Sequence, residues 1–154
     1  MSYALPDPGK FYEISSKSDP NLVWDVKEAS QSDGAQVILW PRHSTFNQQW
    51  RFEEVGGAGA QRRYKITARH SGKSLDVFEG KAENGAQVIQ FEFRGGPNQK
   101  WDLYWDNIGE HFSLRVVHSG KFLDAFEGAG RGTRLIQFQP NGQPNQYWRL
   151  SSVD

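Results

Sequence analysis

The sequence contains no cysteine, which excludes a disulfide framework, a thiolate metal site and a cysteine nucleophile. No sign of charge prevails, because 18 Lys and Arg balance 18 Asp and Glu, so no overall field draws the chain to nucleic acid or an anionic membrane. Apolar runs are only a few residues long, far below the roughly 20 that a membrane-spanning helix needs. The opening MSYALPDPGK lacks the charged-then-apolar order of a secretory leader. The expectation is a cytoplasmic or unconventionally secreted protein that inserts into no membrane. Sustained apolar residues at helical spacing are also missing, so little helix is expected. There is no Gly-rich phosphate loop, no HExxH and no Gly-x-Ser-x-Gly. The four histidines are scattered, and Glu79 and Glu127 recur in different repeats rather than converging as a glycosidase pair. These absences point away from an enzyme, a cofactor and a metal.

What the chain has in quantity is aromatic residues and glycine: 6 Trp, 10 Phe and 16 Gly. Bulky rings separated by turn-formers imply an all-β domain of short strands. The chain also repeats itself. NLVWDVKEASQSDGAQVILWPRHSTFNQQW (21–50) matches GKSLDVFEGKAENGAQVIQFEFRGGPNQKW (72–101), and both match GKFLDAFEGAGRGTRLIQFQPNGQPNQYW (120–148). Each unit follows a strand-like lead in which apolar and polar positions alternate: KFYEISS (10–16), RYKITAR (63–69) and HFSLRVV (111–117). The second copy reads as four strands, 63–69, 73–78, 87–92 and 99–104, divided by HSGK, EGKAENG and RGGPN. Three units are too few to close a propeller, so they must share one core. The length of 154 residues fits a single domain, 1–154, with repeats near 10–55, 62–105 and 110–151.

The closing phrase NQxW occurs at 47–50, 98–101 and 145–148. Its tryptophans, Trp50, Trp101 and Trp148, read as core, each removing about 150–250 Å² from water. Trp24, Leu75 and Leu123 read as core with them. Gln48, Gln99 and Gln146 read as partners for backbone groups in the turn. A second set recurs in register: Asp25, Trp40 and Asn47, then Asp76, Phe91 and Asn98, then Asp124, Phe138 and Asn145. Ring and amide are always seven positions apart. A carboxylate accepts from two neighbouring hydroxyls. An amide donates and accepts, and a flat ring packs on the C–H face of a pyranose. That chemistry suits a sugar such as galactose, although Asp and Asn are also ordinary turn residues. Lys27, Phe78 and Phe126, two positions past each Asp, either widen the platform or pack between hairpins.

The (G/N)-x-x-x-D-V opening (D-A in the third copy), the I-x-(W/F) strand and the NQxW close, three times over residues 10–150, resemble ricin B-type lectins. The chain is most similar to the small cysteine-free fungal members. The resemblance implies a β-trefoil of twelve strands, with a six-stranded barrel, a three-hairpin cap and pseudo-threefold symmetry. It assigns hydroxyl binding to Asp25, Asp76 and Asp124, stacking to Trp40, Phe91 and Phe138, and amide contacts to Asn47, Asn98 and Asn145. The sugar-contacting position three residues after the ring holds His43, Arg94 and Asn141. The ricin-pattern Gln two residues before the ring is replaced by Ile38, Ile89 and Ile136, with loss of a polar contact. The implied function is a non-catalytic, multivalent agglutinin for galactose, lactose or N-acetylgalactosamine on glycoproteins or glycolipids. A homodimer is compatible with this reading, and a trefoil interaction protein such as a protease inhibitor is the alternative.

Overall fold

A computed structural model describes residues 5–56 and 62–153. The ends of the expected domain, 1–4 and 154, and the segment 57–61 lie outside the described residues. Each repeat forms four strands. The first carries β1 (Phe11–Ser16), β2 (Leu22–Val26), β3 (Val37–Pro41) and β4 (Trp50–Gly56). The second carries β5 (Arg62–Ala68), β6 (Ser74–Val77), β7 (Val88–Phe91) and β8 (Trp101–Trp105). The third carries β9 (Phe112–Val116), β10 (Phe122–Ala125), β11 (Leu135–Phe138) and β12 (Trp148–Val153). The other regular elements among the described residues are five single 3₁₀ turns.

One boundary differs from the expectation of a strand over 99–104. Pro97–Gln99 form a 3₁₀ turn, so β8 begins at Trp101. Proline fixes φ and lacks an N–H to give a ladder, which suits it to open such a turn. Phe46–Gln48 and Pro144–Gln146 do the same in the other repeats.

β1, β4, β5, β8, β9 and β12 pair antiparallel in a closed ring, each with the next and β12 with β1. Closure removes exposed edges. The hairpins β2–β3, β6–β7 and β10–β11 cap one end, and this is a β-trefoil. Within each repeat the lead strand sets an aromatic residue against the closing tryptophan: Tyr12 against Trp50, Tyr64 against Trp101, Phe112 against Trp148.

Trp24, Trp50, Trp101 and Trp148 are fully buried. Trp24 makes edge contacts with Trp50 and Trp148, at ring centroid separations of 5.7 and 5.5 Å. The Nε1 groups of Trp50 and Trp101 donate to the carbonyls of Trp24 and Leu75, tying the barrel to the cap.

The hairpins also hold each other. Gln90 Nε2 donates to the carbonyls of Ser30 and Ser32, and Gln137 Nε2 to those of Lys81 and Glu83. His70 and His118 reach the same two loops, donating to the Ser30 and Lys81 carbonyls at 2.7 Å each. At the remaining junction Leu39 occupies the place of the glutamine and is fully buried. There the backbone bonds between Leu39 and Gly132 and Thr133, which have counterparts at Gln90 and Gln137, make the contact without a side-chain amide.

Candidate functional site

Hairpin pairing places each recurrent Asp opposite an isoleucine: Asp25 and Ile38, Asp76 and Ile89, Asp124 and Ile136. Trp40, Phe91 and Phe138 follow two positions later, on the same strand face. The isoleucine is therefore an apolar floor between carboxylate and ring, rather than only the site of a lost polar contact. Each hairpin strand then stops, because Glu28, Glu79 and Glu127 take φ of 57°, 54° and 55°. That is left-handed backbone, uncommon for residues other than glycine and incompatible with an extended strand. Lys27 and Phe78 consequently open 3₁₀ turns instead of continuing the strand face. Both still line the cavities of their repeats. Phe126 lies against the Arg134 guanidinium, 3.8 Å from its ring centroid.

In the first repeat Asp25, Trp40, His43 and Asn47 line one open cavity of about 400 Å³. In the second, Asp76, Phe91, Arg94 and Asn98 line one of about 410 Å³. In the third, Asn145 Nδ2 lies 3.1 Å from Asp124 Oδ1, and β11 carries Phe138 on the same face as Ile136. The carboxylates are only 3 %, 4 % and 3 % exposed. They sit at the base of the sites rather than on their rims.

The glutamine of each NQxW fixes its carboxylate. Gln48, Gln99 and Gln146 donate Nε2–H to Asp25, Asp76 and Asp124 at 2.9, 2.8 and 2.9 Å. The other Nε2–H goes to the carbonyl of Pro41, Glu92 or Gln139. Each Oε1 accepts from the backbone N–H of His43, Arg94 or Asn141. So the glutamine does satisfy the turn, and it also holds the acid, a role that spacing alone did not reveal.

The asparagines differ by repeat. Asn98 Nδ2 donates to Asp76 and to the Val77 carbonyl, and Asn145 Nδ2 to Asp124 and the Ala125 carbonyl. Both of their N–H groups are thereby engaged, which leaves Oδ1 to meet a ligand. Asn47 donates to the Val26 carbonyl and accepts from the Thr45 hydroxyl. His43 Nδ1 contacts the same hydroxyl at 2.8 Å, and His43 Nε2 stands 3.7 Å from Asp25.

Burial pushes the carboxyls of Asp76 and Asp124 up to about 6, against hydrogen bonds from Gln99 and Asn98 in one and Gln146 in the other. Burial raises Asp25 as well, and the Gln48 hydrogen bond and the charge of His43 act against it.

The positions after the rings also diverge. Arg94 pairs with Glu92 at 2.9 Å and lies 4.9 Å from the Phe91 ring centroid. Asn141 turns its carbonyl oxygen to the N–H of Gln143 in its own loop. Trp40 carries Arg131 at 4.6 Å from its ring centroid, a side chain from the third repeat. Nothing in the local spacing signals that contact, because the hairpin junction creates it. Among the described residues no group of three or more His, Asp and Glu side chains is placed to hold a metal ion.

A model of the family described as ricin-type β-trefoil lectin domain-like matches residues 4–91, 46–138 and 97–154. No curated protein sequence matches the chain. Among solved structures, the designed threefold-symmetric protein ThreeFoil is 39 % identical with a TM-score of 0.86, covering 93 % of this chain and 99 % of its own. The exo-β-1,3-galactanase 1,3Gal43A of Clostridium thermocellum is 30 % identical with a TM-score of 0.87, over 97 % of this chain and 31 % of its own. A Macrolepiota procera ricin B-like lectin, solved with lactose, is 22 % identical with a TM-score of 0.80, over 97 % of this chain and all of its own.

Proposed function

The chain belongs to the ricin-type β-trefoil lectin-like family, and from that premise we propose that it binds terminal galactose or N-acetylgalactosamine through equivalent shallow sites in its three repeats. The observation that carries the reading is the anchored carboxylate. In each repeat a glutamine holds an Asp at the base of the site beside a half-exposed ring, across an apolar isoleucine floor. A carboxylate has about four acceptor positions, and the glutamine and asparagine use at most two of them. The remainder can accept from two neighbouring sugar hydroxyls while the C–H face packs on Trp40, Phe91 or Phe138. Charge-assisted bonds of this kind contribute about 1.5–3 kcal/mol each. Galactose carries its 3-OH and axial 4-OH side by side next to an apolar face, which is the pattern such a site fits. The lactose in the Macrolepiota lectin is consistent with this choice.

Shallow sites bind weakly one at a time. Two or three on one rigid body raise avidity on a glycan-covered surface by about 10²–10⁴. The protein then acts as an agglutinin, with defence against animals that feed on the producing organism as its role, and glycoproteins or glycolipids as its partners. No step of this function requires catalysis or a cofactor.

The test is isothermal titration with lactose and N-acetylgalactosamine, with red-cell agglutination in parallel. The variant Asp25→Ala Asp76→Ala Asp124→Ala is expected to lose both signals. Loss of the carboxylate leaves one glutamine N–H in each site, and one asparagine N–H more in the second and third; water can replace the lost acceptor, so circular dichroism should still report a folded β protein. Trp40→Ala Phe91→Ala Phe138→Ala, which leaves the anchored acids in place, should lose binding as well. Undiminished titration heats from either variant would overturn the site assignment.

A further inference from the structure

The barrel carries a second set of grooves on the other side of the NQxW turns, and the threefold repetition allows them to be compared. In the first repeat the groove is closed by an ion pair, with Arg42 Nε 2.7 Å from Glu13 Oε1. In the second, the corresponding residues are Lys65 and Phe93, and the ammonium lies 4.5 Å from the ring centroid. In the third, the same two positions hold Ser113 and Pro140. Neither side chain can reach across, and a cavity of about 410 Å³ stays open.

That cavity has a distinct chemistry. Strand register sets Tyr104 opposite Ser113 and Phe122 opposite Arg115. The corresponding positions in the other repeats are Glu53 and Ser151 for Tyr104, and Ser74 and Val23 for Phe122. The rings of Tyr104 and Phe122 lie 6.1 Å apart, and Tyr147 adds a third ring to the wall. Arg115 lines the groove and donates Nε–H to the Gly120 carbonyl at 3.2 Å. Gly120 has φ +74°, and a Cβ there would stand 2.9 Å from Arg115 Nη2. Glycine therefore both makes the turn and admits the guanidinium. Among the described residues no carboxylate lies within 4 Å of the Arg115 guanidinium. Lys17 brings a second positive charge to the Tyr147 ring, 5.4 Å from its centroid.

We propose that this groove is a separate binding site for a pyranose bearing a carboxylate. The apolar face of the sugar ring packs on Tyr104, Phe122 or Tyr147, and its carboxylate accepts from the planar fork of Arg115. Arg115 is the only guanidinium lining this groove, and the equivalents in the other repeats are Ser15 and Thr67. Among the described residues the third repeat alone combines a guanidinium with this groove. Gln146 lines the groove and also anchors Asp124, so the groove and the third hairpin site lie on either side of one turn. The proposal stands independently of the galactoside reading, since it uses none of the recurrent Asp residues.

The experiment is a two-dimensional ¹H–¹⁵N titration of the intact protein with methyl β-glucuronide, a methyl α-sialoside and neutral methyl β-glucoside. One or both sugar acids should shift the amides of Arg115, Gly120 and Tyr147, and which of them does so identifies the source of the carboxylate. The glucoside should shift these amides at least tenfold more weakly. Arg115→Ala should abolish the shifts, and Arg115→Lys should weaken them. Ser113→Glu with Pro140→Arg, which rebuilds the first repeat's bridge, should abolish them in a folded protein. Failure of both sugar acids to shift the groove amides would overturn the proposal. So would shifts that survive Arg115→Ala, or shifts of equal size from the neutral glucoside.

Discussion

The first hairpin site and its two counterparts share a plan but hold their acids differently. In the second and third, an asparagine amide donates directly to the carboxylate, and burial raises that carboxyl to about 6. In the first, Asn47 donates to the Val26 carbonyl and accepts from Thr45, and His43 stands beside Asp25 instead. The first site also has the largest ring, and a guanidinium from another repeat stacks on it. The difference teaches that repetition preserved the anchor, the glutamine, while the groups around the ring were free to diverge.

The largest expected effect tests what the sites have in common. Trp101→Ala removes a fully buried ring and its bond to Leu75, and should cost about 3–5 kcal/mol in urea unfolding. Trp148 Nε1 has no hydrogen-bond partner among the described residues. Trp148→Phe should therefore be milder than Trp101→Phe by roughly 1 kcal/mol.

The next effect concerns the anchor. Gln99→Ala strips the Arg94 N–H, the Glu92 carbonyl and Asp76 of a partner at once. It should destabilise by about 1–3 kcal/mol and abolish sugar binding in the second site alone. Amide shifts in a lactose titration would locate the loss, and binding retained at Asp76 would remove the glutamine from the site.

Acidification separates the sites by charge. Asp76 and Asp124 accept the stronger, charge-assisted bonds from hydroxyls only when ionised, so lactose affinity at the second and third sites should fall several-fold between pH 7 and 5. At Asp25 the charge of His43 acts against the rise caused by burial, so the first site should lose less. Stability moves in the opposite sense. These two carboxyls are raised in the fold from 3.8 to about 6. Their contribution is fully present below about pH 4 and is lost as pH rises through about 6. A rise in Tm from pH 7 to 5 that Asp76→Ala Asp124→Ala lacks would show it.

The smallest effect is His43→Ala. Near pH 7 it should weaken the first site only a few-fold, as expected for a part-exposed contact worth about 0–1 kcal/mol. At pH 5 the first site should then behave like the other two. A variant that keeps the wild-type pH profile would remove His43 from the comparison.

Much of this molecule was legible in the residues. Trp50, Trp101 and Trp148 in phase announced three copies of one unit, and alternation in the lead strands announced the barrel. Asp25 with Trp40 and Asn47 could be found because the hairpin is local, so a fixed count of residues brings the same side chains together each time. The part the isoleucines play as a floor was not legible, because a difference from a family pattern shows what is missing and not what the replacement does. The end of each hairpin strand was missed for another reason: nothing in a glutamate's identity announces a positive φ.

The sequence alone determined the architecture, because repeated short-range spacing dictates hairpin register, and three hairpins with large apolar faces can be buried only around one shared core. Only the tertiary structure decided which sites became unlike one another. Arg131 on Trp40, and the open groove beside Arg115, arise where segments far apart in the chain meet. There the outcome depends on whether two distant side chains, such as Glu13 and Arg42 or Ser113 and Pro140, are long enough and charged enough to touch.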